Sequence, residues 1–233
     1  MPLPKLDVPT YELDLISIDK KITYRPFLVK EEKILMVAME GEDQKEIVRA
    51  MKQVISNCIL EEINIDTLPL FELEHILLNL RSKSVGEQTT ISIICQSCET
   101  SIPLKIDLNK VKIKQDKKHT KEIQITENIG IMMKYPKLDL MLDEELLSDS
   151  NKIFDIIEEC VEFIWDDEET YKMDDYSKEE KTDFFESLSQ NQFDNIREFF
   201  DTIPKLTLDV NYTCNSCKHK SKTVLEGMAN FFG

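Results

Sequence analysis

The pattern of these 233 residues predicts an α+β fold, a helical body with a small β region. Two observations carry this. Apolar residues recur at helical spacing up to about residue 85 and again beyond residue 137, and between them the period falls to two. The strand-like runs also come in pairs around short polar tips, the mark of antiparallel hairpins.

Residues 1–10 place Pro2, Pro4 and Pro9 among Leu3, Leu6 and Val8, which predicts an extended N-terminal arm whose apolar side chains need a surface to lie on. Leu3 and Leu6 are therefore candidate partner contacts. Residues 11–88 predict a strand pair, 11–18 and 22–29, followed by helices over 31–40 and 43–60. The second helix carries Ile47, Ala50, Met51, Val54, Ile55, Cys58 and Ile59 on one stripe. A third helix is expected over 68–82, with Asp66 or Thr67 as cap, Pro69 in its first turn and Gly86 beyond its end.

Residues 89–136 read as the β region, with strands over 89–94, 101–108, 122–126 and 129–135. Residues 137–205 read as an acidic helical insertion. Its clearest helix spans 151–166, on which Ile153, Ile156, Ile157, Cys160, Val161 and Ile164 share a face. Ser177 with Glu180, and Ser189 with Gln192, fit capping boxes that open two further helices. Residues 206–226 predict a second hairpin, and 227–233 an apolar C-terminal tail. Phe184, Phe185, Phe199 and Phe200 sit at helical spacing and read as core. Phe231 and Phe232, next to the end, would be a costly exposed patch unless they dock, on a partner or on the chain's own core.

Charge narrows the function. Lys plus Arg number 29 against 45 Asp plus Glu, a net of −16 with a pI near 4.7. A general nucleic-acid binder needs the opposite balance, because its affinity comes from displacing counterions off phosphates. The charge is uneven: residues 139–180 hold 17 acids against three Lys, and residues 105–121 hold seven Lys against two Asp. Such runs form solvated faces or oppositely charged docking faces. No run of eighteen apolar residues is present, which excludes a transmembrane helix. The start lacks the basic and apolar regions of a secretory signal, so a reducing cytosol is expected. Phosphate-loop, dinucleotide, nucleophile-elbow and metalloprotease motifs are missing, and the expectation is that the protein is not an enzyme.

One constellation carries chemistry. Cys95/Cys98 and Cys214/Cys217 are Cys-x-x-Cys pairs, each at the tip of a predicted hairpin. Two thiolates two residues apart on a tight tip offer half of a tetrahedron, and two facing tips complete a four-sulfur site for structural Zn2+. The fold would then hold a split zinc-ribbon-like four-cysteine site formed by two hairpin knuckles, with 115 residues between Cys98 and Cys214. Redox pairs, two local disulfides and bare thiols are the competing readings. The redox case lacks a following helix to lower a thiol pKa. The disulfides would need an oxidising compartment. His219 falls beyond the second knuckle, Cys58 and Cys160 on helical apolar stripes, and His75 and His119 have no companion that makes a base.

The opening Met-Pro-Leu-Pro-Lys-Leu-Asp-Val-Pro-Thr-Tyr-Glu-Leu, with Tyr-Arg-Pro-Phe-Leu-Val-Lys-Glu-Glu-Lys-Ile-Leu-Met from Tyr24, resembles the baseplate proteins of T-even-type contractile-tailed bacteriophages, specifically the central-hub subunit family. The resemblance rests most heavily on residues 1–40. It implies a structural or tail-assembly protein of the baseplate hub whose partners are other baseplate or hub proteins, with no nucleic acid and no membrane. It implies residence in the host cytoplasm during assembly and in the virion tail baseplate afterwards. A hub assembly factor that is not retained in the virion is a variant of the same reading. A zinc-ribbon nucleic-acid or transcription accessory protein, using the lysines of residues 105–121, is the alternative.

Overall fold

The computed structural model describes residues 6–41, 43–141, 153–227 and 229–232. The chain forms two compact units: unit 1 is residues 1–114 with 205–233, and unit 2 is residues 115–204.

Unit 1 opens with an antiparallel hairpin of β1 (Tyr11–Leu15) and β2 (Lys20–Tyr24), turned by Asp19 at φ 47°. Both strands are shorter than the alternation predicts. Past Tyr24 the chain instead meets the exit of a helix, where Arg25 N–H donates to the Cys58 carbonyl and Leu60 N–H to the Thr23 carbonyl. Helix α1 (Val29–Glu40) starts at Leu28, whose N–H donates to Glu31. Glu31 is wholly buried; burial alone would raise its pKa, but hydrogen bonds from Arg25 and Leu28 outweigh that and hold it below the ordinary carboxylate value. Helix α2 (Gln44–Cys58) is capped by Asp43, which accepts from Lys45 N–H, and it buries Val48, Ala50, Val54, Ile55 and Cys58.

Helix α3 (Leu70–Ser84) is central. It buries Phe71, Leu73, Ile76, Leu78 and Leu80, a spread too wide for a single stripe, because it touches α2 on one side and sheet on another. Its buried Glu72 is satisfied by the Ser17 N–H and hydroxyl at 2.9 and 2.8 Å. Two β layers complete the unit. One is the hairpin of β3 (Gln88–Ile94) and β4 (Ser101–Asp107), and the other is the sheet β11-β10-β5, made of Lys220–Glu226, Lys205–Thr213 and Lys112–Lys114.

Unit 2 is inserted between two paired strands: it leaves from Lys114 in β5 and returns at Lys205 in β10, and these two residues are register partners. It is not the helical insertion over 137–205 that the pattern predicts. It begins at residue 115 and contains an antiparallel sheet, β6-β7-β8-β9, of Glu122–Gln124, Gly130–Met133, Val161–Trp165 and Thr170–Lys172. The expected helix over 151–166 is divided. Ile153–Glu159 is helical, and Val161–Trp165 is a strand that pairs with β7 through Ile131↔Ile164 and Met132↔Phe163. Residues 151 and 152 of that expectation lie outside the described residues.

Both predicted helix starts form. Ser177 exchanges bonds with Glu180 at the start of helix Lys178–Glu186, and at the start of helix Gln190–Thr202 the Ser189 N–H and hydroxyl both donate to Gln192 Oε1. These helices set Phe185, Ile196 and Phe199 against Ile131, Met133, Ile157 and Val161 in one core. Phe184 and Phe200 pack on that core part-exposed. Among the described residues no helix is long and apolar enough to cross a membrane.

Candidate metal centre

The four cysteines predicted to meet do meet. In the β3–β4 hairpin, Cys95 N–H donates to the Thr100 carbonyl at 2.9 Å and Glu99 N–H to the Cys95 carbonyl at 2.9 Å. In the β10–β11 hairpin, Cys214 N–H donates to the His219 carbonyl at 2.8 Å and Lys218 N–H to the Cys214 carbonyl at 3.0 Å. The two tips therefore share one backbone pattern. In each, the residue after the second cysteine takes the left-handed conformation, Glu99 at φ 56° and Lys218 at φ 60°. That turn lets both thiols of a pair face the same side.

The sulfurs approach crosswise. Cys95 Sγ lies 3.7 Å from Cys217 Sγ, and Cys98 Sγ lies 3.6 Å from Cys214 Sγ. All four fall within 4.8 Å of one another. A tetrahedral ion bound by sulfur at about 2.3 Å needs S···S edges of about 3.8 Å, so the closest pairs already sit at the spacing of a coordination sphere. They are far too long for a disulfide of about 2.05 Å, and all four cysteines are free. The four sulfurs can hold a metal ion.

Their surroundings fit that use. Cys95 and Cys214 are wholly buried in a small cluster with Ile102 and Tyr212, onto which Ile93 and Leu104 pack, whereas Cys98 and Cys217 face solvent. The hydrogen bond with the Thr100 hydroxyl, then that with its backbone, pull the Cys98 thiol down to about 6. At Cys217 a backbone hydrogen bond with His219 pulls down, but the sulfurs of Cys98, Cys214 and Cys95, with burial, push the thiol up to about 11. Four thiols this close cannot all ionise against one another, and a bound cation is what would allow it.

Sequence reasoning did not single out Thr100 or the apolar floor of Ile102 and Tyr212; the alternation of β4 and β10 places them under the tips. His219 enters through its backbone carbonyl. Of the candidate partner contacts, Phe231 is wholly buried, in the short helix Ala229–Phe232 that touches β3 and β11. It serves the chain's own core, the second of the two roles foreseen for it, and no partner can reach it in this fold. Leu6 is 88% exposed. Leu3 lies outside the described residues, as does the side chain of Phe232.

The profile of the family described as T4 bacteriophage base plate protein matches residues 8–233. The "Baseplate hub assembly protein gp26" of Enterobacteria phage T4 is 25% identical over 224 residues, which cover 95% of this chain and 97% of that one. No solved structure matches.

Proposed function

The chain belongs to the T4 bacteriophage base plate protein family, and from that membership we propose that it is a structural or assembly protein of a phage tail baseplate hub. It acts by docking on other baseplate or hub proteins, in the host cytoplasm during assembly and then in the tail baseplate. The single observation that carries this reading is the match with a hub assembly protein over 95% of this chain and 97% of that one.

Its body is tied by structural zinc at Cys95, Cys98, Cys214 and Cys217. Soft thiolate ligands and tetrahedral spacing suit zinc, and four sulfurs leave no open position for water or substrate. The ion would supply a cross-link between chain segments separated by 115 residues.

The surface supports docking. Helix α1 shows solvent Val29, Met36, Val37 and Met39, each more than half exposed, and the arm adds Leu6. A nucleic-acid role finds no support in a net charge of −16.

Quantitative mass spectrometry of purified particles, paired with a null mutant, tests the proposal. A fixed stoichiometry in the tail supports a retained hub component. Absence from particles, with no baseplates formed in the null mutant, supports an assembly factor. Absence together with normal baseplates overturns the proposal.

A further inference from the structure

Unit 2 holds a feature that neither the cysteine site nor the family assignment explains. Ile129, Ile164, Tyr171, Met173, Tyr176 and Phe184 wall an open cleft of about 320 Å³. Tyr176 is 38% exposed, and its ring lies 6.3 Å from that of Tyr171. The rest of the lining is charged: Asp166, Glu180 and Lys181.

The two rim carboxylates are fixed in place. Asp166 Oδ1 accepts from the N–H groups of Glu168 and Glu169 at 2.9 and 2.8 Å, and Asp166 Oδ2 accepts from the Tyr171 hydroxyl at 2.8 Å. Glu180 Oε2 accepts from the Ser177 N–H at 2.9 Å and from its hydroxyl at 2.8 Å. These bonds hold both groups below the ordinary carboxylate range, so they stay charged. Three of these four rim oxygens already accept within the chain, so the carboxylates act on a ligand through their field more than through new hydrogen bonds.

That field is large. Unit 2 carries 10 Lys plus Arg against 25 Asp plus Glu, a net of −15, while unit 1 carries 19 against 20, a net of −1. Nearly the whole charge of the protein belongs to the unit with the cleft. Asp167, Glu168, Glu169, Asp174, Asp175 and Glu179 are all exposed on the segments that wall it. An apolar slot within a negative field repels acidic peptides and nucleic acid and attracts a cationic segment that brings its own hydrophobic anchor.

We propose that this cleft receives one bulky apolar side chain of a partner protein whose flanking residues are Lys or Arg. The anchor fills the slot, and the flanking charges set the on-rate and the register. This deepens the docking role proposed above and rests on it for the partner's place in the baseplate.

Purified chain and a labelled nonapeptide, Lys-Lys-Lys-Gly-Phe-Gly-Lys-Lys-Lys, test the proposal by fluorescence anisotropy without any assembly step. Replacing Phe by Ser in the peptide is expected to weaken binding at least about tenfold, and replacing Lys by Glu to abolish it. Raising salt from about 50 mM to about 500 mM weakens it strongly. In the protein, Tyr176→Ser lowers affinity about fivefold or more at unchanged melting temperature, while Val37→Ser in unit 1 has no effect. If Tyr176→Ser melts early, the surface double variant Asp174→Lys with Glu179→Lys reads the same cleft, with a loss of about tenfold expected. Absence of binding, equal binding of the Phe and Ser peptides, or full affinity in the cleft variants overturns the proposal. Such a failure leaves the particle experiment standing, and absence of the protein from the hub leaves the cleft's affinity standing.

Discussion

Unit 1 is assembled from two stretches of chain with 90 residues between them, carries balanced charge, and brings four cysteines together. Unit 2 is one continuous stretch with a net charge of −15, and its single cysteine, Cys160, is a buried core side chain. The contrast shows two ways to hold a fold of modest size. The discontinuous unit must keep β3–β4 against β10–β11 across a long loop, and four sulfurs at the two tips are placed to lock that pairing. The continuous unit relies on a core of Ile, Val, Met and Phe, and it is left free to concentrate charge on its surface. That concentration has a cost, since like charges repel in the compact state.

The largest expected effect follows from the lock. Cys95→Ser with Cys214→Ser, or exhaustive chelation, should remove one zinc per chain and destabilise unit 1 by about 5 kcal/mol or more, part of the about 10–16 kcal/mol that structural zinc supplies in small peptides. Hydrogen exchange should show β3, β4, β10 and β11 losing protection. Trp165, the single tryptophan, lies in β8 of unit 2 and reports on that unit alone. Its fluorescence transition should move far less. Equal loss in both units would show that the lock serves the whole chain and would end the contrast.

The second effect belongs to unit 2. Gly130 lies under the Trp165 ring, and a Cβ built there would clash with Trp165 Cζ2. Gly130→Ala therefore forces the ring or the β7–β8 pairing to shift, at a cost of about 1–3 kcal/mol for overpacking. Tryptophan emission and the unit 2 melting transition should both change while zinc content stays at its original value. An unperturbed emission spectrum would mean that the ring has room to move.

How much of this is legible in the sequence follows the same division. The knuckles are readable because alternation on both sides of each Cys-x-x-Cys predicts a hairpin, and the capping boxes are readable because Ser177/Glu180 and Ser189/Gln192 signal helix starts by local chemistry. Residues 153–165 mislead because Val161 and Ile164 satisfy a helical stripe as well as they satisfy a strand. The choice is made by Ile131 and Met132 across the sheet, some thirty residues away in sequence. The unit boundary at Lys114 and Gln115 carries no Pro or Gly, and it lies inside the lysine-rich run of residues 105–121, which reads as one charged face. Phe231 stays between two roles in the sequence because an apolar doublet looks the same whether it faces a partner or the chain's own core.

A smaller effect compares one histidine from each unit. Burial holds His75 below its ordinary value of 6.5, and burial followed by the charge of Lys121 does the same for His119. A depressed folded value means that the unfolded chain takes up the proton first. Stability should therefore fall as pH drops through about 6.5 and level off below the folded value. The two sites differ in what protonation meets. Nδ1 of His75 is buried without a hydrogen-bond partner among the described residues, whereas both ring nitrogens of His119 face hydroxyl oxygens, those of Thr202 and Tyr135. Those hydroxyls can accept from an imidazolium. His75→Phe should flatten the acid limb of unit 1 more than His119→Gln flattens that of unit 2, as read from urea midpoints between about pH 7 and about pH 5.

The smallest effect tests the geometry of the lock itself. Glu99 and Lys218 occupy equivalent left-handed positions behind the second cysteine of each tip, a conformation that costs a residue with a Cβ about 1–2 kcal/mol. Glycine there relieves the strain but loses more freedom on folding, by about 0.5–1 kcal/mol. Glu99→Gly and Lys218→Gly are each expected to raise stability by a net of about 0.5 kcal/mol. The gain should appear in unit 1 and not in the Trp165 transition. It should also persist in zinc-free protein if the backbone bonds from Cys95 and Cys214 hold the tips in shape, and vanish there if the metal is what imposes the turn. The same pair of variants, measured with and without zinc, separates a site formed by folding from a site formed by its ion.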